Sequence, residues 1–188
     1  MIMKKILLGL TLLFTVFAAS AQEKNTSQSY IQKFKDNAIR IMHESGVPAS
    51  IILAVAMHES GNGNSFIARS LNNQFGMKGS DSHVVVKNKK KVRTNYKRYD
   101  SVLESFNDFA RIMTVRPQFV HLSQNLTHYD YKAWAKGIQR SGYCSDHTWS
   151  KQVLGIITKY QLYMFDEQPD SSSTQELAEK SQYSPAKL

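Results

Sequence analysis

One cysteine in 188 residues, Cys144, excludes an internal disulfide framework and a cysteine-based zinc site. The chain also lacks the second histidine of a helical zinc-protease motif. Two imidazoles share a helix face in that motif when they lie four residues apart; the position four after His58 is Asn62, and four after His43 it is Val47. No solenoid period is present. The pentapeptide MHESG occurs at 42–46 and 57–61, but a spacing of 15 residues is too short for a stacked repeat unit. Residues 82–99 contain no acid at all. Apolar residues nevertheless make up 41% of the chain against 21% charged, which is enough for a core and excludes wholesale disorder. The length fits one domain with short appendages.

The N-terminal apolar run, residues 6–17 (ILLGLTLLFTVF), has 12 residues. A membrane-spanning helix needs about 20. Lys4 and Lys5 precede the run, and Ala19-Ser20-Ala21 follows with the small-x-small pattern of a signal-peptidase site. Residues 1–21 therefore read as an export signal cleaved before Gln22, with no stable membrane insertion afterwards and a periplasmic or extracellular destination. A buried N-terminal helix or a membrane anchor is the alternative for this stretch. Residues 22–27 read as a polar leader, 28–166 as the folded domain, and 167–188, where aromatics nearly vanish, as a disordered tail.

The formal net charge is +9, and it is concentrated. Residues 82–98 (SHVVVKNKKKVRTNYKR) hold seven Lys and Arg with no acid. In an exported protein such an excursion points to an anionic extracellular polymer rather than to nucleic acid. A solvated hairpin tip accounts for the charge equally well.

Periodicity predicts a mainly helical domain. Tyr30, Phe34, Ala38, Ile41 and Met42 fall on one helical face, with Gly46 as the stop. Pro48 and Ala49 open a second helix whose body, 51–57, is apolar on every side, as expected of a helix in the middle of a domain. A short helix is expected at 66–70. Strands are expected at 83–86 and 92–96 around a basic turn at 87–91. Ser101 and Glu104 form a capping-box pattern ahead of a helix using Val102, Phe106, Phe109, Ala110 and Met113. Further helices are expected after Pro117, over 130–140, and after Asp146 as N-cap. The last would bury Trp149, Val153, Ile156, Ile157, Tyr160, Tyr163 and Met164. Trp134 and Trp149 are placed on helices, where core packing is the expected role rather than a sugar platform.

Two residues invite chemistry. Cys144 lies near His147, but nothing in the spacing marks a nucleophile–base pair, and a small residue in an ordered turn explains it better. Glu59 ends the apolar second helix and runs into a Gly-Asn-Gly-Asn loop open to a polar ligand. Partial desolvation and the negative end of the helix dipole both favour the neutral carboxylic acid, the form a general acid for glycoside cleavage requires. A Glu fraying at a helix end is the plain alternative. Glu44 shares the local sequence, but it ends an amphipathic helix and is followed by a hydrophobic segment, so Glu59 is favoured.

Three blocks resemble glycoside hydrolase family 73, the bacterial endo-β-N-acetylglucosaminidases that cut peptidoglycan. Residues 52–65 (ILAVAMHESGNGNS) are similar to the family's helix and E-S-G turn and run on into 71–79 (LNNQFGMKG). Residues 96–113 (YKRYDSVLESFNDFARIM) resemble its aromatic-basic-Tyr-Asp-Ser segment with the following helix. Residues 141–160 (SGYCSDHTWSKQVLGIITKY) resemble its G-Y-A-T-D block before the last helix. The resemblance implies a lysozyme-like, mainly α (α+β) fold with a small β-hairpin lobe beside a saccharide groove. It implies Glu59 as general acid and Tyr143 as the residue that positions or stabilises the sugar's reacting centre. Asn72, Asn73, Phe75 and Gly76 would shape the groove, and Tyr99 would bind substrate.

One departure stands out. Many family members carry a second acid in the β lobe, where this chain has Thr94 or Asn95. A two-carboxylate mechanism needs a partner within roughly 5–9.5 Å of the acid. Asp81 and Asp100 flank the hairpin, and Asp81 is the better substitute because Asp100 suits a turn before Ser101. Assistance by the substrate's own 2-acetamido group ranks ahead of Asp81, and an inactive protein is the third possibility. The expected function is an exported hydrolase cleaving β-1,4 linkages after N-acetylglucosamine in peptidoglycan glycan strands, a monomer without cofactor or metal. A lytic transglycosylase and a non-catalytic glycan-binding module are the competing readings.

Overall fold

The computed structural model describes residues 24–167. The expected export signal (1–21) and the tail beyond Glu167 lie outside the described residues. Among the described residues no helix is long and apolar enough to cross a membrane.

The first helix, α1 (Ser27–Ser45), buries Tyr30, Ile31, Phe34, Ala38, Ile41 and Met42, the stripe its spacing predicts. Thr26 and Ser29 cap it reciprocally, and Gly46 ends it in the left-handed conformation at φ 76°. The expected leader (22–27) is thus partly built into the fold. Asn25 donates from its backbone to Asn64 Oδ1 and from its side chain to the Asn62 carbonyl, pinning the loop after the next helix. Polar composition alone does not reveal such a partner 37 residues away.

The central helix, α2 (Ala49–Ser60), is buried along the whole of 49–57 and packs against α1 and several later helices. Each of Ile51, Ile52, Leu53 and Val55 is fully buried. Burial of such a side chain contributes about 1.5–3 kcal/mol, so this rod is the main anchor of the domain. Pro48 offers no side-chain cap to its first turn. Asp166, 116 residues away, supplies it: one carboxylate oxygen accepts from Ser50 N at 2.8 Å and the other from Ser50 Oγ at 2.6 Å. At the other end Gly61 adopts φ 57°, and the chain turns into the polar loop.

A short helix, α3 (Phe66–Leu71), leads to the hairpin of β1 (Lys78–Lys87) and β2 (Lys90–Tyr96), which pair antiparallel. The turn is only Asn88-Lys89, at φ 51° and 63°, the mirror-image geometry that matches strand twist. The predicted five-residue turn is therefore shorter, and β1 begins five residues earlier than periodicity suggests. A register irregularity between Lys78 and His83 explains the missed start, because it breaks the alternation.

Four helices complete the domain: α4 (Val102–Val115), α5 (Val120–Asn125), α6 (Tyr131–Arg140) and α7 (Trp149–Lys159), followed by a 3₁₀ turn over Leu162–Phe165. The capping box at α4 is shifted: Ser101 Oγ accepts from Glu104 N, but Glu104 reaches back to Asp100 N. The cap of α7 is likewise displaced, since Asp146 Oδ1 accepts from Thr148, and Thr148 is the residue that precedes the helix. Of the predicted α7 stripe, Trp149, Val153 and Ile157 are buried, whereas Met164 is 52% exposed because the helix ends at Lys159. The result is the expected mainly α architecture with one small β lobe.

Candidate active site

The C-terminus of α2 delivers Glu59 to the edge of a groove of about 280 Å³ between the hairpin base and the helical body. Met77, Lys78 and the Phe75-Gly76 turn line one side; Arg116, Gln118 and Phe119 after α4 line another; Gly142, Tyr143 and Cys144 close it. Glu59 is the single acid among these lining residues.

Its orientation is set by α7. The Trp149 indole N–H donates to Glu59 Oε1 at 2.7 Å. Trp149 is itself 1% exposed, so the donor is held by packing. Core packing was the role expected of this tryptophan; the structure adds the hydrogen bond to the acid. The Glu59 side chain stays 24% exposed, and its second oxygen has no hydrogen bond among the described residues.

His58 stands beside the acid. Its Nε2 faces Gln152 Oε1 at 2.5 Å. The Gln152 amide donates to Thr148 Oγ1 and Asp146 Oδ2, which fixes its carbonyl toward the imidazole and makes Nε2 the protonated nitrogen. His58 Nδ1 then lies 3.6 Å from Glu59 Oε1, beyond hydrogen-bond reach and without another partner.

Tyr143 lines the groove with its hydroxyl donating to the Phe75 carbonyl at 3.1 Å. Its ring packs 5.1 Å from that of Trp149. Burial foremost, and then the neighbouring Glu59 carboxylate, push its phenol well above the usual range. It is therefore a neutral phenol whose proton is committed to Phe75 and whose oxygen keeps lone pairs free to accept.

The other predicted positions divide into wall and scaffold. Phe75 and Gly76 line the groove, Phe75 stacked on Phe109 at 4.4 Å and Gly76 at φ 63°. Asn72 and Asn73 do not line it. Asn72 donates to the Tyr99 and Asp100 carbonyls, and Asn73 spans Met77 and Lys97 by three hydrogen bonds, stapling the loop to the hairpin exit. Tyr99 is buried, with its hydroxyl on Asp108 Oδ2 at 2.8 Å, and it too is outside the groove lining. Asp108 also binds Lys97 and Arg111; burial pushes its carboxyl up, but these partners outweigh it and hold it below the usual range. Asp81 is exposed on β1 and lines a separate depression rather than the groove. Cys144 Sγ accepts from Asp146 N at 3.4 Å, and no hydrogen bond links it to His147. Among the described residues no cluster of three or more His, Cys, Asp or Glu could hold a metal ion.

Gln152, Arg116 and Lys78 were not singled out from the sequence, and Trp149 and His58 were weighed there only as a core residue and as half of a zinc motif. The apolar spacing of α7 explains Trp149 without reference to Glu59, and Gln152 reads as one of its exposed polar positions. The two cations acquire significance only when chain folding sets them on the groove.

Residues 35–162 match the family model described as glucosaminidase, mannosyl-glycoprotein endo-beta-N-acetylglucosaminidase. The exo-glucosaminidase LytG of Bacillus subtilis is 31% identical over 163 residues, covering 78% of this chain and 56% of that protein. The peptidoglycan hydrolase FlgJ of Vibrio parahaemolyticus is 26% identical over 151 residues, covering 73% of this chain and 48% of that protein. The chain thus spans about half the length of the curated relatives it matches. Among solved structures, the glycoside hydrolase domain of Salmonella typhimurium FlgJ superposes with a TM-score of 0.59 at 21% identity, covering 84% of this chain and 96% of that one.

Proposed function

The chain belongs to the glucosaminidase family, glycoside hydrolase family 73, and on that footing we propose that it hydrolyses β-1,4 linkages after N-acetylglucosamine in peptidoglycan, with Glu59 as general acid. The observation that carries the assignment of Glu59 is its place as the single acid lining the groove, held by the Trp149 N–H. The name of FlgJ, a peptidoglycan hydrolase, supports the substrate class, and that of LytG, an exo-glucosaminidase, supports the type of linkage.

A single carboxyl favours assistance by the substrate. The Glu59 proton passes to the glycosidic oxygen as the C1–O bond breaks. The carbonyl oxygen of the 2-acetamido group of the same sugar closes onto C1. Water then opens that ring at C1 and returns a proton to Glu59, which acts as base in this second step. Tyr143 fits the remaining need. Its hydroxyl proton is spent on Phe75, so its oxygen is free to accept the acetamido N–H and to sharpen the carbonyl as nucleophile. Asp81 as the second catalytic group is the weaker version, because it borders a different depression.

The same single-acid groove also suits a lytic transglycosylase, or a binding module that has lost turnover. Product analysis separates them. Purified protein incubated with cell-wall sacculi should release fragments with reducing N-acetylglucosamine ends. Anhydro-muramic ends would assign the transglycosylase, and binding without any product would assign the binding module. The chain lengths released separate internal from terminal cleavage. Action on peptidoglycan agrees with export through residues 1–21 and a periplasmic or extracellular location for a monomer.

A further inference from the structure

Beside the groove lies a second depression of about 350 Å³, on the hairpin side. Lys78 and Arg116 line both cavities and so form the seam between them. Lys97 and Arg98 add two more cations to the second depression, against one acid, Asp81. Not all of this charge is available. Lys97 Nζ is bound to Asp108 Oδ2 at 2.6 Å, and Arg98 donates to the Ser70 carbonyl. The Arg116 backbone is bonded within its turn, but its guanidinium has no hydrogen bond or ion pair among the described residues, and Lys78 Nζ only overlies the Tyr96 ring at 6.0 Å. The seam therefore presents two exposed, uncommitted cations next to the acid's groove.

An N-acetylated glycan backbone is uncharged, so it gives such a pair nothing to neutralise. The anionic groups of the proposed substrate are carboxylates on its side substituents: the lactyl ether, and the peptide stem attached through it. Resting on the reading of Glu59 and its groove above, we propose that Lys78 and Arg116 form a subsite for a carboxylate of the peptide stem, so that the sugar chain lies against Glu59 while its peptide turns into the second depression. The guanidinium supplies a planar fork for the carboxylate and the ammonium a mobile point charge. Gly79 lines the second depression beside them, where an added Cβ would crowd Lys97 Cγ at 3.0 Å.

The test is binding to the full chain carrying Glu59→Gln, so that no turnover is needed. Three soluble probes of equal sugar count are compared by calorimetry: a chito-oligomer without carboxylate, a peptide-stripped glycan with lactyl carboxylates only, and a peptide-bearing glycan. The peptide-bearing probe should bind roughly ten-fold tighter than the chito-oligomer, the summed effect of two partly exposed charge pairs. In the double variant Lys78→Met, Arg116→Gln that ratio should fall to near one. Equal binding of all three probes, or a ratio that survives the double variant, overturns the subsite while leaving the glycan groove intact. Preference for the stripped glycan moves the carboxylate to the lactyl group and overturns the peptide assignment. Binding of none of the probes would overturn the glycan reading as well.

Discussion

Replacing Trp149 with Phe removes one hydrogen-bond donor from Glu59 and leaves most of the ring in place. The indole N–H lies 2.7 Å from Oε1 and is the only hydrogen bond to this carboxyl among the described residues. Hydrogen bonds to charged groups contribute roughly 1.5–3 kcal/mol. If that energy serves to aim the acid, its loss should lower kcat about ten- to one-hundred-fold. Trp149 does not line the groove, so KM should change little by comparison. Shrinking a side chain that is 1% exposed also leaves a small cavity. That should cost about 1–2 kcal/mol and lower Tm by roughly 2–8 °C, which leaves the protein folded at assay temperature. The assay is the rate of reducing-end release from sacculi at several substrate loads, with a thermal melt on the same sample. A folded variant with kcat within two-fold of the parent, or a loss confined to KM, would refute the aiming role.

Burial pushes the Asp166 carboxyl up to about 6, its bonds from Ser50 only partly opposing this. An unfolded Asp titrates near 3.9, so the folded state holds the extra proton between roughly pH 4 and 6 and stability falls as pH rises through that window. The fall should be on the order of 2–3 kcal/mol by urea denaturation and should flatten in Asp166→Asn; an unchanged slope contradicts it. Asp81→Asn should keep kcat within about three-fold, whereas a catalytic base at that position would cost roughly 100-fold or more. Raising salt to 1 M shortens screening to about 3 Å and should weaken binding to sacculi if the basic hairpin steers the chain to its polymer. Salt-independent binding would contradict that steering.

What could be read from the sequence follows from the range of the interactions. The all-round apolar pattern of 51–57 forces α2 into the centre, and that alone puts Glu59 at the end of a buried rod. Local signals also gave Gly46, Ser101 and the hairpin. Contacts distant in sequence were opaque: Asp166 caps α2 across 116 residues, and Trp149 reaches Glu59 across 90. Trp149 shows why. Its spacing fits the buried stripe of α7, and that packing is a sufficient explanation until the indole N–H is seen to point at a carboxylate. For Asn72, Asn73 and Tyr99 the motifs named the position but not the partner. Asn72 and Asn73 were expected to shape the groove and Tyr99 to bind substrate; in the structure their polar atoms go to the backbone and to Asp108, partners that the motifs do not reveal. Asp81 was chosen because it flanks the hairpin; the extra residues of β1 carry it to a neighbouring depression.

The central claim is that the carboxyl of Glu59 gives up the proton that releases the leaving sugar. Glu59→Gln keeps the shape of the side chain and an oxygen for the Trp149 N–H, so the fold and glycan binding should survive while reducing N-acetylglucosamine ends cease to appear from sacculi. Undiminished release by that variant would contradict the account.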